Sequence, residues 1–174
     1  MNREFWRNRI SKRPDLVARL THLTRGRTDD EAFDILWKIL LDKKLIATGN
    51  TAFIVGDKKA VCFQEVPLYS IAQTLLFEEE ERVKEQQKTG YLGKIRYSWF
   101  GLRLNKFDLY QQGARPVVYG KTDDLKTVLD SSIHWRIVKL DLDSDDNCID
   151  WTHEREWRIE NDCSFEYEDI EVIL

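Results

Sequence analysis

From Trp151 to Glu160 the chain reads Trp-Thr-His-Glu-Arg-Glu-Trp-Arg-Ile-Glu, a run rich in β-formers with a charge at every second position from Glu154 onward. Successive side chains of a strand point to opposite faces, so the pattern predicts a strand with two unlike sides. Trp151, His153, Arg155, Trp157 and Ile159 fall on one face. Thr152, Glu154, Glu156, Arg158 and Glu160 fall on the other. The second face carries a Glu-x-Glu pair with an arginine two residues further on. If it lines a cleft, the two carboxylates crowd each other, raising one pKa, while Arg158 pulls the other down. Such a pair suits chemistry at a developing positive charge. The plain alternative is a solvent-facing strand with cross-strand ion pairs.

The 174 residues fit one domain with room for a core, and 42% hydrophobic against 33% charged residues describes a folded chain. A net charge of −4 argues against a dedicated nucleic-acid binder, which needs clustered Lys and Arg. Charge is unevenly spread: Met1 to Arg27 holds eight Lys/Arg and two acids, whereas Asp141 to Leu174 is acidic. Residues 1–16 are expected to form a basic leader, solvated or touching a phosphate backbone. The three cysteines, Cys62, Cys148 and Cys163, show no CxxC spacing. With neither a signal peptide nor a membrane-length apolar run, reduced thiols and a cytoplasmic location without membrane attachment are expected. His22, His134 and His153 lie far apart with no partners at ligand spacing, so no metal site is expected.

Along the chain, Asn2 to Leu16 is read as a short helix and Val17 to Arg25 as a strand, with Thr21 and Leu23 on one side and Leu20, His22 and Thr24 on the other. Thr28-Asp29-Asp30-Glu31 forms a capping box, in which Thr28 accepts from the N3 amide and Glu31 reaches back to the Thr28 amide. Behind it Ala32, Phe33, Leu36, Ile39 and Leu40 make a helical face, closed at Lys43-Lys44. Strands are predicted at Thr51–Val55 and Ala60–Gln64 around a turn at residues 56–59, and a helix opens at Pro67. The charged segment 78–94 reads as a solvated helix or mobile stretch. Further strands are expected at Ile95–Leu104, Arg115–Tyr119, Trp135–Leu142 and Phe165–Leu174, with short helices at Asn105–Gln112 and Thr122–Leu129 and a turn at Asp143–Asn147. This order gives a single α+β domain over residues 1–174, a mixed, mostly antiparallel sheet with flanking helices.

Three passages carry a family likeness. Leu20-Thr21-His22-Leu23-Thr24, a helix, and then Ile39-Leu40 to Lys44-Leu45-Ile46 resemble the opening of the ADP-ribosyltransferase-like fold, whose helix ends in an "IL..G.I" phrase. Lys43-Lys44 stands here in place of the usual glycine. Cys62-Phe63-Gln64-Glu65-Val66-Pro67-Leu68 resembles the "CF-x-E-x-PL" passage of the AbiGi-type abortive phage-resistance family. Phe100-Gly101-Leu102, Gly113 to Tyr119 and Glu154-Arg155-Glu156-Trp157-Arg158 follow in the same order, so the likeness covers residues 18–160. Thr21-His22 with a late strand glutamate is similar also to the DarT-like DNA ADP-ribosyltransferases.

This resemblance implies a chemistry. Breaking the nicotinamide–ribose bond of NAD passes through an oxocarbenium-like transition state, which a nearby carboxylate stabilises. Glu156 would play that part and Glu154 would orient or activate the acceptor. His22 would contact a ribose, with Thr21 or Thr24 beside it, and Arg25 would meet the pyrophosphate. Phe63, Tyr69 and Tyr119 are candidates to stack on the nicotinamide. Each has a structural alternative: His22 as a hydrogen-bonded strand histidine, Arg115 and Tyr119 as an edge pair, Glu65 as a helix-dipole partner for the helix at Pro67, and Trp151 and Trp157 as core. Two functions are therefore expected: an ADP-ribosyltransferase of a bacterial or phage conflict system, acting on a nucleic acid or protein; or a non-catalytic antitoxin-like protein binding a cognate toxin or other partner. The second predicts an exposed apolar patch and no NAD binding. A metal-dependent nuclease built on Asp141, Asp143, Asp145 and Asp146 is discounted, because these lie in a turn.

Overall fold

The computed structural model describes residues 2–49, 53–91, 95–143 and 148–174. In chain order they form α1 (Arg3–Ser11), β1 (Arg19–Leu23), α2 (Asp29–Asp42), β2 (Lys44–Leu45), β3 (Thr48–Gly49), β4 (Lys59–Gln64), α3 (Leu68–Thr89), β5 (Gly101–Asn105), α4 (Lys106–Gln111), β6 (Arg115–Pro116), β7 (Val118–Gly120), α5 (Thr122–Val128), β8 (Ile137–Lys139), β9 (Glu156–Glu160), β10 (Cys163–Ser164) and β11 (Ile170–Ile173). Short 3-10 helices lie at Ser131–Arg136, Thr152–Glu154 and Tyr167–Asp169. The class is α+β with mostly antiparallel strands and flanking helices, as the sequence implies; β7 and β8 run parallel.

The chain gathers into two compact units. The first takes Met1–Lys43, Val66–Asn105 and Phe165–Leu174; the second takes Lys44–Glu65 and Lys106–Ser164. Each is assembled from separated stretches, so no single cut in the sequence divides them.

In the first unit β5 lies between β1 and β11, antiparallel to both. Leu20, Leu102 and Leu104 are buried on one face. The alternation expected on β1 holds, since Thr21 stands opposite Arg103 and His22 opposite Leu102. The strand expected at Ile95–Leu104 is shorter, beginning only at Gly101. Ahead of it the chain is held by side chains instead: the Ser98 hydroxyl donates to the Thr24 carbonyl (2.8 Å) and the Thr24 hydroxyl donates to the Ala32 carbonyl (2.9 Å). Gly101 marks the changeover, because a Cβ there would sit 2.4 Å from the His22 carbonyl oxygen.

α2 starts as expected, with Thr28 as N-cap accepting from the Glu31 amide. The reciprocal arm differs by one residue: Glu31 accepts from the amide of Arg27, not of Thr28. The helix ends at Lys43 with φ of 49°, in the left-handed region where glycine is favoured. Lys43 thus stands where a glycine would relieve the backbone. Residues 1–16, expected as a leader, carry α1, which is N-capped by Asn2 and buries no residue. The charged run from Glu78 continues α3 to Thr89 in helical form; residues 92–94 of that segment lie outside the described ones.

In the second unit β4 pairs antiparallel with β3 on one side and β9 on the other, and β9 also pairs with β6. β7, α5 and β8 form a parallel crossover. The expected Arg115–Tyr119 strand is split: β6 joins β9, and from Val118 the chain joins β8 instead. Trp135 belongs to the 3-10 turn started by Asp130, which accepts from the Ser132 amide, so the strand expected at Trp135–Leu142 begins at Ile137. Of the expected Thr51–Val55 strand, residues 51 and 52 lie outside the described ones, and Phe53–Val55 is not a strand. The turn expected at Asp143–Asn147 lies outside them from residue 144.

Thr28→Ala is expected to lower the unfolding free energy by about 1 kcal/mol, the usual loss for a hydroxyl N-cap, with Thr28→Asn near neutral. Urea titration followed by circular dichroism checks both.

Candidate functional site

The strand expected across Trp151–Glu160 exists only from Glu156. Asp150 accepts from both the amide and the hydroxyl of Thr152, at 2.8 and 2.6 Å, and this local bond starts a 3-10 turn in place of a ladder. Arg155 then takes a left-handed conformation (φ 45°), after which β9 begins. The two glutamates therefore do not share one strand face. Glu154 is half-buried on the turn, and Glu156 is the first residue of the strand, 8% exposed.

Arg158 is 2% exposed, among the most deeply buried large side chains of the described residues. Its Nε donates to Glu156 Oε1 at 2.8 Å and its Nη2 to Glu156 Oε2 at 3.3 Å and the Phe53 carbonyl at 3.0 Å. Nη1 donates to the carbonyls of Trp135 and Ile137, at 2.5 and 3.3 Å. A guanidinium has five N–H groups, and each of these has an acceptor. A buried charge is tolerated only when paired and fully hydrogen-bonded, and Arg158 meets that condition.

Tyr119 is brought to Glu156: its phenol oxygen accepts from the Glu156 amide at 2.8 Å. Burial pushes the Tyr119 phenol up from its ordinary value, more than the Glu156 amide bond lowers it, so it stays a neutral hydroxyl at neutral pH. Phe63 does not serve as a stacking platform. It is a wholly buried residue of β4 opposite Trp157, with no open ring face.

Glu65 has a larger part than a helix-dipole partner. Its Oε1 accepts from Lys106 Nζ at 2.5 Å and its Oε2 from Trp157 Nε1 at 2.6 Å, while Lys106 lies 5.7 Å from the Trp157 ring centroid. Trp157 is thus half-buried with its indole N–H tied to a carboxylate. The sequence signal was Glu65 itself, a carboxylate between the β4 pattern and Pro67.

The remaining candidates stand in the first unit. His22 is half-buried on β1, on the face opposite Thr21. Thr24 is held by Ala32, Ser98 and Phe100 and is a structural residue. Arg25 is exposed, its guanidinium carbon 5.6 Å from the Tyr97 ring centroid. Tyr69 is exposed on α3 and donates its hydroxyl to the Pro14 carbonyl at 3.2 Å. Thr21 is fully buried, and among the described residues its hydroxyl has no hydrogen-bond partner.

Among the described residues no group of three or more His, Cys, Asp or Glu side chains is placed to hold a metal ion, and no helix is long and apolar enough to cross a membrane. Compared with protein-family models, curated proteins and solved structures, the chain matches none of them.

Arg158→Met is expected to destabilise the protein by roughly 3–5 kcal/mol, since it strands a buried carboxylate together with three carbonyls. Arg158→Lys should recover little, because a single ammonium cannot reach acceptors spread around a planar fork. Thermal melts of both variants check this; full rescue by lysine would show that charge alone matters.

Proposed function

We propose that this chain is an ADP-ribosyltransferase-like protein of a bacterial or phage conflict system, akin to the AbiGi-type family, that transfers ADP-ribose from NAD to a nucleic acid or protein. The observation that carries the reading is the unlike setting of two neighbouring glutamates. Glu156 opens β9 and is gripped by Arg158; Glu154 sits on the turn before it, across the left-handed Arg155. A transferase needs that division, one carboxylate fixed in the scaffold and one beside the incoming acceptor.

NAD supplies an activated ribosyl group whose bond to nicotinamide breaks, with nicotinamide leaving on the electron pair. Glu156 stabilises the positive charge that develops. Its carboxylate has about four lone-pair sites, of which Arg158 takes two, and the contact from Oε2 to Nη2 is long at 3.3 Å. Oε2 therefore keeps capacity for a ribose hydroxyl. Glu154 accepts the proton of the attacking acceptor.

A second reading, a non-catalytic antitoxin-like or partner-binding protein, is favoured by a separate observation. Phe33, Trp37 and Leu41 are all exposed and recur every fourth residue on α2, giving one apolar stripe on the helix surface.

Isothermal titration with NAD and a nicotinamide-release assay decide between them. The transferase reading expects saturable binding and release that falls by about 10²–10³ in Glu156→Gln, the range for losing one electrostatic stabiliser. Glu154→Gln should keep release but lose transfer to the acceptor. Melting curves of both variants distinguish lost chemistry from lost folding. No binding and no release at millimolar NAD would sink the enzymatic reading in favour of the binding protein.

A further inference from the structure

The first unit holds an arginine whose bonding is the reverse of Arg158's. Thr21 of β1, Arg103 of β5 and Glu171 of β11 stand directly opposite one another across three strands, so their side chains share a face and form one row. Arg103 Nη1 donates to Glu171 Oε2 at 2.8 Å. Arg19, two residues before Thr21 and therefore on the same face, places its Nε 2.8 Å from Glu171 Oε1 and donates Nη1 to the Asp169 carbonyl at 3.0 Å. At the inner end of the row two polar groups have no partner among the described residues: the Thr21 hydroxyl and the Nε–H of Arg103.

Those two orphans are informative because buried polar groups in folded proteins are nearly always paired. Thr21 is 0% exposed, and the Arg103 side chain is 15% exposed. Both orphans can donate, and Nε–H can only donate, so what would satisfy them together is an acceptor. The charges agree. Arg19 and Arg103 share the single carboxylate of Glu171, leaving an excess of positive charge on the face. Burial draws the Arg103 guanidinium pKa down and Glu171 draws it back up, with Arg19 opposing. Glu171 itself is 47% exposed on β11, the outermost strand of this unit's sheet, and is the most exposed member of the row.

We propose that Arg19, Thr21 and Arg103 form a binding site for a phosphoryl oxyanion, with Glu171 as its resident competitor. When Glu171 swings away, two guanidinium charges and a hydroxyl donor face one point, a match for the charge and tetrahedral acceptors of a phosphate dianion. The site lies within the first unit and does not depend on the glutamates at β9 or on NAD being the substrate.

Titration with inorganic phosphate at constant ionic strength tests it, on the wild type, Glu171→Gln, Thr21→Val and Arg103→Lys. Glu171→Gln should bind about tenfold or more tightly than wild type, as expected when a charged hydrogen-bonding competitor is removed. Thr21→Val should weaken phosphate binding about tenfold while leaving the melting temperature without phosphate unchanged or raised, because a buried hydroxyl without a partner is being deleted. Arg103→Lys should abolish saturable binding. Binding by Glu171→Gln alone also supports the site, with the carboxylate as the stronger competitor. Equal affinities in wild type and Glu171→Gln, undiminished binding by Thr21→Val, or no binding by either of the first two proteins at about 10 mM, far weaker than any specific site, would reduce the row to an ion-pair ladder. Adenosine monophosphate run alongside identifies the source: affinity equal to phosphate points to the free anion, and tighter binding to a nucleotide.

Discussion

A guanidinium in the interior is stable only where every N–H finds an acceptor, and the second unit is arranged around meeting that demand for Arg158. The carboxylate comes from two residues earlier on the same strand. The three carbonyls come from Phe53 and from Trp135 and Ile137, positions where the chain turns or changes from 3-10 helix to strand. Regular ladders leave few carbonyls pointing inward, so irregular stretches are the natural suppliers. This accounts for why Trp135, in a segment that alternates well enough to be a strand, belongs to a turn. Its carbonyl faces Arg158 and not a neighbouring strand. The desolvation of two charges is severe, and their mutual attraction offsets it only with such complete pairing.

Arg103 shows the other outcome for the same residue type. It too lies in a strand between buried leucines, Leu102 and Leu104, and meets a carboxylate. That carboxylate is shared with Arg19, comes from the outer strand and is half in solvent, and the lateral Nε–H has no acceptor among the described residues. Arg158 is closed by its surroundings, whereas Arg103 is open in its bonding. A closed arginine contributes rigidity, and an open one retains a capacity to bind. The difference between the two is invisible in composition or periodicity, since both sit in Arg-bearing strands of similar pattern.

What the sequence revealed and what it hid follow one physical division. The elements read correctly are those whose backbone bonds and apolar periodicity agree: α2 behind its Thr28 cap, β4, the helix after Pro67, and the face alternation of β1. Three of the errors fall where a short polar side chain captures the backbone. Asp150 turns residues 152–154 out of the β9 strand, Asp130 does the same ahead of β8, and Ser98 with Thr24 replaces the first half of the strand expected at Ile95. Asn, Asp, Ser and Thr compete with ladders in this way, and a two-residue alternation rule does not register the competition. Of the candidate site, the pairing of Glu156 with Arg158 was legible as a charged alternation within a β-rich run. That Arg158 would draw carbonyls from Phe53, Trp135 and Ile137, that Phe63 would be interior, and that Arg19, Arg103 and Glu171 would meet were not, because each depends on partners distant in sequence.

The break at Arg155 decides how the two glutamates are set. Had the alternation from Trp151 continued, Glu154 and Glu156 would have lain two residues apart on one face, repelling each other and facing the same surroundings. The bonds from Thr152 to Asp150 and the left-handed Arg155 place them in different backbone settings, one on a turn and one at the start of a strand. The carbonyl of Arg155 then accepts from the Glu65 amide at 3.2 Å, which fixes the break against the end of β4. Glu65 in turn holds the Trp157 indole through its carboxylate. The turn, the strand start and the end of β4 are thus tied into one assembly, and the unlike environments of the two glutamates are a property of that assembly and not of either residue alone.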